Sequence, residues 1–478
     1  MGPAPGELGG TRRWTALSVA VGCALRLARP DVHSLWIDEG MTVRIAEATD
    51  PYAFFAADSH PPLSFLLFRA WIALCGTSDL ALRLLPALAA CVSLVLFVRL
   101  AGAWLGRERA AWATALYAAS PLLVWHAHEV RMYAFVELAA LLVLLCARRV
   151  WERPGLLGFA GLALAVAVAT GLHYYGALAG LAVLVQAMLV PGRPWRRTGL
   201  AAVAGVATWT PWLWAWLPAQ TGGLWPVVVK DGARDLLELP ARLLACDLAL
   251  LDERGVELVG WAIGALALLG FVLGTARVLR ARRGAQREAG ALDAALSAWA
   301  PIVAAWVLAQ VAGGGFQPRY LVTAVPGLVA CVALGLLALW PRWVGRAATA
   351  LLAVSLCATS VLQLGENRRE DYRAAAAEIA TRWREGDRLL LLVCVPSIHQ
   401  PAALEHYLRD RPEILAARLD TGRYLDGIDR PPAGTRLHVV WREASLCWEP
   451  MHRLEATHAI VERAPARFRI HRLIAIVP

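Results

Sequence analysis

The chain has 478 residues, 58% hydrophobic and 18% charged, with a mean hydropathy of +0.51, whereas a soluble domain carries about 25% charged residues. That composition excludes a secreted soluble enzyme, a disordered protein and a single-span receptor, and marks a polytopic membrane protein. The formal net charge of +10 comes from 47 basic and 37 acidic residues, but the basic residues lie in short clusters between apolar runs, with no patch or arm suited to nucleic acid.

All the basic residues but Lys230 are arginine, which fits a GC-rich codon bias. The nine cysteines include no CxxC pair and most sit inside apolar runs, where a thiol acts as a small hydrophobe, so no metal-thiolate site is expected. In chain order, the stretch Trp14 to Leu27 follows Arg12-Arg13 without a cleavage site and reads as the first span. Spans are predicted near 13–30, 81–105, 109–125, 132–148, 155–171, 174–190, 198–218, 256–279, 291–312, 320–340 and 345–363, eleven in all. Arginine clusters at 106–109, 148–153, 193–197, 277–287 and 342–346 then share the N-terminal side, which the positive-inside rule makes the cytoplasm. The apolar segment 63–76 contains Arg69 and is too short to span, so it is expected to lie at the outer interface. A spanning 63–76 would put every later arginine cluster outside.

The outer face thereby collects the loop 31–80, the turn 126–131, the loop 219–255, the turn 313–319 and everything after about 364. Residues 1–363 read as the membrane domain and 364–478 as a small extracytoplasmic α/β domain. In the latter, helices are predicted over 371–383 and 401–408 and strands over 388–395, 436–441 and 468–477. Cys394 and Cys447, the two cysteines of that tail, would face an oxidising compartment and are candidates for a disulfide. Tryptophans 209, 212, 214 and 216 cluster at an outer span end, as in an aromatic belt.

Three outer elements carry chemistry-bearing residues. In Leu35-Trp36-Ile37-Asp38-Glu39-Gly40 the adjacent acids fit either a base in a desolvated cavity or an acidic cap on the following helix. The turn Trp125-His126-Ala127-His128-Glu129-Val130-Arg131-Met132-Tyr133 offers a hydrogen-bonded cluster, or a metal site through His126, His128 and Glu129 that lacks a clear fourth ligand. In Gln317-Pro318-Arg319-Tyr320-Leu321, an arginine at the outer headgroup level suits either a phosphate partner or lipid headgroups. Glu137, inside a span, must face the bundle.

Together LWIDEG, the HPPL segment at 60–63, ALRLLP at 81–86, HEVRMYA at 128–134, PRYL at 318–321 and EDYRAA at 370–375 resemble the GT-C fold membrane glycosyltransferases, in the protein-mannosyltransferase and aminoarabinose-transferase branch (glycosyltransferase family 39 type). The likeness runs from about residue 12 to about 385. It implies an all-α polytopic bundle with a small C-terminal α/β domain, in a bacterial inner membrane with a cytoplasmic N-terminus. The activity it implies is transfer of a sugar from a polyprenyl-phosphate donor to a glycan, lipid or protein acceptor on the outer face. Asp38 matches the family's catalytic aspartate and Glu39 its acidic neighbour. His60 stands where relatives carry a polar or acidic residue ahead of the proline, Glu129 and Arg131 match the second-loop acid and its basic neighbour, and Tyr133 and Tyr320 accompany them. Arg319 matches a late basic residue that meets carrier phosphate. Some relatives carry a basic residue soon after the Asp-Glu pair or the loop proline. Here Gly40, Met41, Thr42 and Pro61 follow instead, which leaves Arg44, Arg131, Lys230 and Arg319 as candidate phosphate ligands. A divalent metal is compatible with this chemistry but not required by it. The rival class is a transporter or lipid-linked sugar flippase, which would place its ionisable groups near the membrane midplane in two related halves.

Overall fold

The apolar runs fold as helices because a chain in hydrocarbon must satisfy its backbone hydrogen bonds within itself. The computed structural model describes residues 5–55, 58–221, 239, 242–244, 254–281, 289–312, 317–365, 367, 369–392, 400–442, 448–467 and 470–478. Its principal helices are α1 (Pro5–Leu27), α2 (Ile37–Glu47), α3 (Leu63–Cys75), α4 (Asp79–Leu105), α5 (Arg107–Ala119), α6 (Pro121–Ala127), α7 (Tyr133–Glu152), α8 (Leu156–Leu172) and α9 (Ala177–Leu189). They continue with α10 (Trp195–Ala207), α11 (Thr210–Thr221), α12 (Arg254–Ala281), α13 (Ala289–Ala312), α14 (Val325–Leu336), α15 (Arg342–Gln363), α16 (Tyr372–Arg382) and α17 (Gln400–Leu408). Strands β1 (Arg388–Leu392), β2 (Arg418–Leu419), β3 (Arg436–Arg442), β4 (Ala459–Arg467) and β5 (Ile470–Ile476) form one sheet.

The chain divides into two compact units that each draw on separated segments. One comprises residues 1–30, 52–67 and 83–365, the other 31–51, 68–82 and 366–478. The first loop thus contributes to both.

The first unit is a helical bundle. Among the described residues five helices are long and apolar enough to cross a membrane, or six if the pair Trp195–Ala207 and Thr210–Pro218, bent by 49°, is one span. This is a multi-pass membrane protein, though these helices do not by themselves establish the expected eleven spans. Every predicted span is helical, and several are broken. The stretch 109–125 divides at Pro121, which lacks an N–H and opens α6. The break strands the carbonyls of residues 117–119, which the fold satisfies from elsewhere. Arg26 donates to Ala118 at 2.8 Å and to Tyr117 at 3.2 Å, and the Ser360 hydroxyl donates to Ala119 at 2.9 Å. Residues 318–340 likewise begin as a 3-10 turn, Pro318–Ala324, before α14.

Helices α12 and α14 cross at glycines. A Cβ on Gly274 would sit 2.0 Å from the Cys331 carbonyl oxygen, and one on Gly335 would sit 1.9 Å from that of Gly270, so only hydrogen allows this approach. Small residues at a crossing are how membrane helices gain close van der Waals packing.

The second unit is an α/β layer structure with strand order β2-β1-β3-β5-β4. β1 is parallel to β2 and β3, and β5 is antiparallel to β3 and β4. β1 reads RLLLL because both of its faces are covered. Leu389 and Leu391 face a core shared with Tyr372, Ile379, Leu404 and Leu408, while Leu390 and Leu392 face one shared with Tyr424, Met451 and Leu454. The predicted tail elements are present at 372–382, 388–392, 400–408, 436–442 and 470–476. Residues 393–395 and 468–469, and with them Cys394 and Cys447, lie outside the described residues.

Candidate functional site

In the helical bundle, the turn between α6 and α7 is clamped by two fully buried arginines. Arg83 Nε donates to the His128 carbonyl at 2.9 Å, and Arg26 orients the same residue through its backbone, since the His128 Nε2–H donates to the Arg26 carbonyl at 2.9 Å. His126 Nδ1 lies 2.9 Å from Glu129 Oε2. His128 therefore points away from the His126–Glu129 pair, and the three do not converge on a metal. Among the described residues no group of three or more His, Cys, Asp or Glu side chains could hold one.

The clamp leaves Arg131, buried to 3% exposure, directed at His60, with Nη2 3.3 Å from Nδ1. His60 Nδ1 also lies 2.7 Å from Asp58 Oδ1, so with its proton on Nδ1 the imidazole donates to the carboxylate, and Arg131 then lies beside that nitrogen without donating to it. Gln220 at the end of α11 fixes the loop, donating to the Phe55 carbonyl at 2.9 Å and the His60 carbonyl at 3.3 Å. His173, at the turn after α8, stands 5.3 Å from the His60 ring, 5.1 Å from Tyr320 and 5.6 Å from Tyr175, centre to centre. Tyr133 lies 6.3 Å from His173 and 4.7 Å from His126, and the Arg319 guanidinium lies 5.4 Å from the Tyr320 ring centre.

Burial holds the His173 pKa well below the ordinary histidine value, and positive charge from His60, Arg131 and Arg319 pushes it the same way. Its Nδ1 accepts from the Tyr175 backbone N–H at 3.1 Å, so the ring is neutral with its proton on Nε2. With His60, the cluster thus joins two permanent cations to a neutral imidazole at His173 and three phenols, gathered from four separate stretches of chain. Guanidinium forks of this kind suit a phosphate, and the hydroxyls and ring N–H groups suit a polyol.

The other acidic candidates belong to the second unit. Glu39 is fully buried; its Oε1 accepts from Arg369 at 2.5 Å and its Oε2 from the Trp36 backbone N–H at 3.1 Å. Leu35 N–H donates to the Tyr407 hydroxyl at 2.7 Å and Ile37 N–H to Glu370 at 3.3 Å, so the start of α2 is tied on every side. Gly40 permits a close crossing with α17, where a Cβ would lie 2.4 Å from the Ala403 nitrogen. Asp38, in the first turn of this fixed helix, is the partly exposed member of the acid pair.

Six of the expected residues, His60, Glu129, Arg131, Tyr133, Arg319 and Tyr320, therefore lie in one unit around one cluster, and Asp38 and Glu39 lie in the other. Arg44 faces Glu405 at 3.4 Å within the second unit, and Lys230 lies outside the described residues. Sequence reasoning missed Asp58, His173 and Tyr175. The only signal was local: DSHPP places an acid two residues before a histidine, and HYYG at 173–176 puts polar rings at a span end.

Comparison with known proteins agrees with this architecture. A family model described as dolichyl-phosphate-mannose-protein mannosyltransferase matches residues 59–216, which include the first-loop histidine and the turn at 126–131. No curated protein is similar to the chain by sequence. The crystal structure of ArnT from Cupriavidus metallidurans in the apo state is similar over 98% of both chains, with a TM-score of 0.61 at 15% identity. The same protein bound to undecaprenyl phosphate matches equally, at 16% identity and the same TM-score of 0.61. The oligosaccharyltransferase AglB from Archaeoglobus fulgidus, in complex with an inhibitory peptide and a dolichol-phosphate, matches with a TM-score of 0.53 at 11% identity, over 92% of this chain and 70% of its own. The chain has the GT-C fold.

Proposed function

We propose that the protein is a membrane glycosyltransferase that moves a sugar from a polyprenyl-phosphate donor to a hydroxyl acceptor on the outer membrane face, inverting the anomeric centre. The observation that carries the reading is the cluster in the bundle, where Arg131 and Arg319 meet His60, His173, Tyr133 and Tyr320. Support comes from the mannosyltransferase match across residues 59–216 and from the shared fold with a protein crystallised with undecaprenyl phosphate.

In this reaction the acceptor oxygen attacks the anomeric carbon as the bond from that carbon to the phosphate oxygen breaks. Polyprenyl phosphate leaves with the bonding pair, and the acceptor proton passes to a carboxylate. The developing phosphate charge requires fixed cations, a role that falls to Arg131 and Arg319, because preorganised charge lowers such barriers most. The proton requires a base, a role that falls to Asp38 by its place in the resembling motif and its partial exposure. Glu39, held by Arg369, Trp36 and its own burial, is a positioning residue in this scheme.

The resemblance implies a bacterial inner membrane, and the clustering of arginines between spans favours an N-terminus in the cytoplasm and residues 364–478 outside. The test is to supply purified protein in nanodiscs with a panel of undecaprenyl-phosphate sugars and a hydroxyl acceptor and to measure free undecaprenyl phosphate. Release that depends on both substrates is expected. A sugar lipid that changes leaflet in vesicles with its phosphate linkage intact would overturn the reading in favour of a flippase.

A further inference from the structure

Away from that cluster, the helical bundle contains a cavity of about 320 Å³ lined in part by Trp104, Arg109, Arg277, Ala291 and Leu334. It lies at the opposite end of the bundle. Arg83 anchors the 126–131 turn near the start of α4, and Leu105 stands about 33 Å further along the same helix at 1.5 Å per residue. The end of α4, the start of α5, the end of α12 and the start of α13 meet here.

The charge of this cavity is positive. Among the described residues, two nearby acids are already engaged: Glu108 accepts from Arg346 at 2.8 Å, and Asp293 accepts both arms of Arg193 at 2.6 and 2.8 Å. Neither Arg109 nor Arg277 has an acidic partner among the described residues. Two helix N-termini and two C-termini contribute opposing partial charges of about half a unit each, so they nearly cancel and leave two full guanidinium charges. The first-turn N–H groups of α5 and α13 add donors. Trp104, Leu105 and Leu334 supply apolar wall, and Leu279, one residue beyond the lining Val278, is exposed on the outside of α12.

We propose that this cavity binds the phosphate headgroup of an anionic membrane lipid in the leaflet opposite the candidate site. Two cations beside apolar wall at the ends of membrane helices match an amphiphile with a phosphate head, and basic pockets between such helices recognise anionic lipids. The volume is that of a small-ligand site. This inference does not depend on the transferase reading, and its test measures no transfer.

The experiment is native mass spectrometry of the purified protein titrated with phosphatidylglycerol, with phosphatidylcholine as the neutral-headgroup reference. The parent should retain phosphatidylglycerol preferentially, and R109Q/R277Q should weaken it roughly tenfold per arginine removed while leaving phosphatidylcholine unchanged. A control, R196Q/R197Q, removes two exposed arginines from the start of α10 and should bind as the parent does. Gly102 also lines the cavity, and a Cβ there meets nothing within 4 Å. G102L should therefore block the cavity with both arginines in place, and leucine is the better helix former, so the fold is kept. Equal retention by parent, R109Q/R277Q and G102L would overturn the proposal, as would an equal loss in R196Q/R197Q. Displacement of the lipid by millimolar inorganic phosphate alone would overturn it too, by assigning the cavity to a soluble anion.

Discussion

Replacing Glu39 by glutamine separates the structural acid from the chemical one. Glu39 and Arg369 are 0% and 2% exposed and 2.5 Å apart, so the pair is desolvated on both sides. Glutamine keeps an acceptor for the Trp36 N–H but removes the carboxylate charge that stands 2.5 Å from the buried guanidinium. Removing one partner of a buried pair costs about 3–5 kcal/mol. For a unit of roughly 150 residues, each kcal/mol moves the melting temperature by about 2–4 °C, so E39Q should lower the melting of the strand-containing unit by on the order of 10 °C. The apolar double variant E39M/R369M removes both charges and should recover most of that loss. The assay is thermal unfolding in detergent by circular dichroism, with transfer measured below the transition on the folded fraction. An E39Q protein that melts with the parent yet has lost transfer would refute this reasoning and move Glu39 into the chemistry.

Three further outcomes are expected. G40A should destabilise by about 1–3 kcal/mol, because its Cβ would lie 2.4 Å from the Ala403 backbone nitrogen, whereas G102A, with nothing within 4 Å, should be neutral or slightly stabilising; chemical denaturation checks both. R319A should weaken binding of a polyprenyl-phosphate sugar roughly tenfold or more, and R319K should restore it only in part because an ammonium cannot form the two-pronged contact; equilibrium binding to nanodiscs reads this. Burial lowers the pKa values of His438 and His458 in the folded protein, so below the ordinary histidine value near 6.5 the unfolded chain takes up protons that the fold does not. Stability is therefore full above that pH and should decline as pH falls through it, and a melting series from pH 7.5 to about 5.5 should show a shallower decline for H438Q.

The fold was legible where one physical demand dominates. Apolar runs between the arginine clusters had to be helices, and the strands predicted over 388–395 and 436–441, observed at 388–392 and 436–442, carry buried apolar residues on both faces of the sheet. β4 escaped notice because AIVERAPAR breaks alternation with charges and a proline, as befits an edge strand with register shifts against β5. Helix breaks were hidden because the arginine that repairs the one at Pro121 lies about ninety residues away. The motifs that carried the resemblance are largely supports. Arg83 of ALRLLP holds the 126–131 turn, Glu370 of EDYRAA caps α2, and Arg373 of the same motif pairs with Asp79. Local pattern gives no view of such pairing across the chain, which is also why His173 and Asp58 were not singled out. A polar residue at a span end looks the same whether it faces headgroups or a buried cluster.

The most direct test of the central claim is to measure donor binding and sugar transfer side by side in D38N, reconstituted with a polyprenyl-phosphate sugar the parent uses. The substitution keeps the side-chain volume and removes only the proton acceptor. The account predicts parental donor affinity with transfer reduced by about 10²–10⁴-fold, the usual contribution of a general base. Transfer at the parental rate would contradict it.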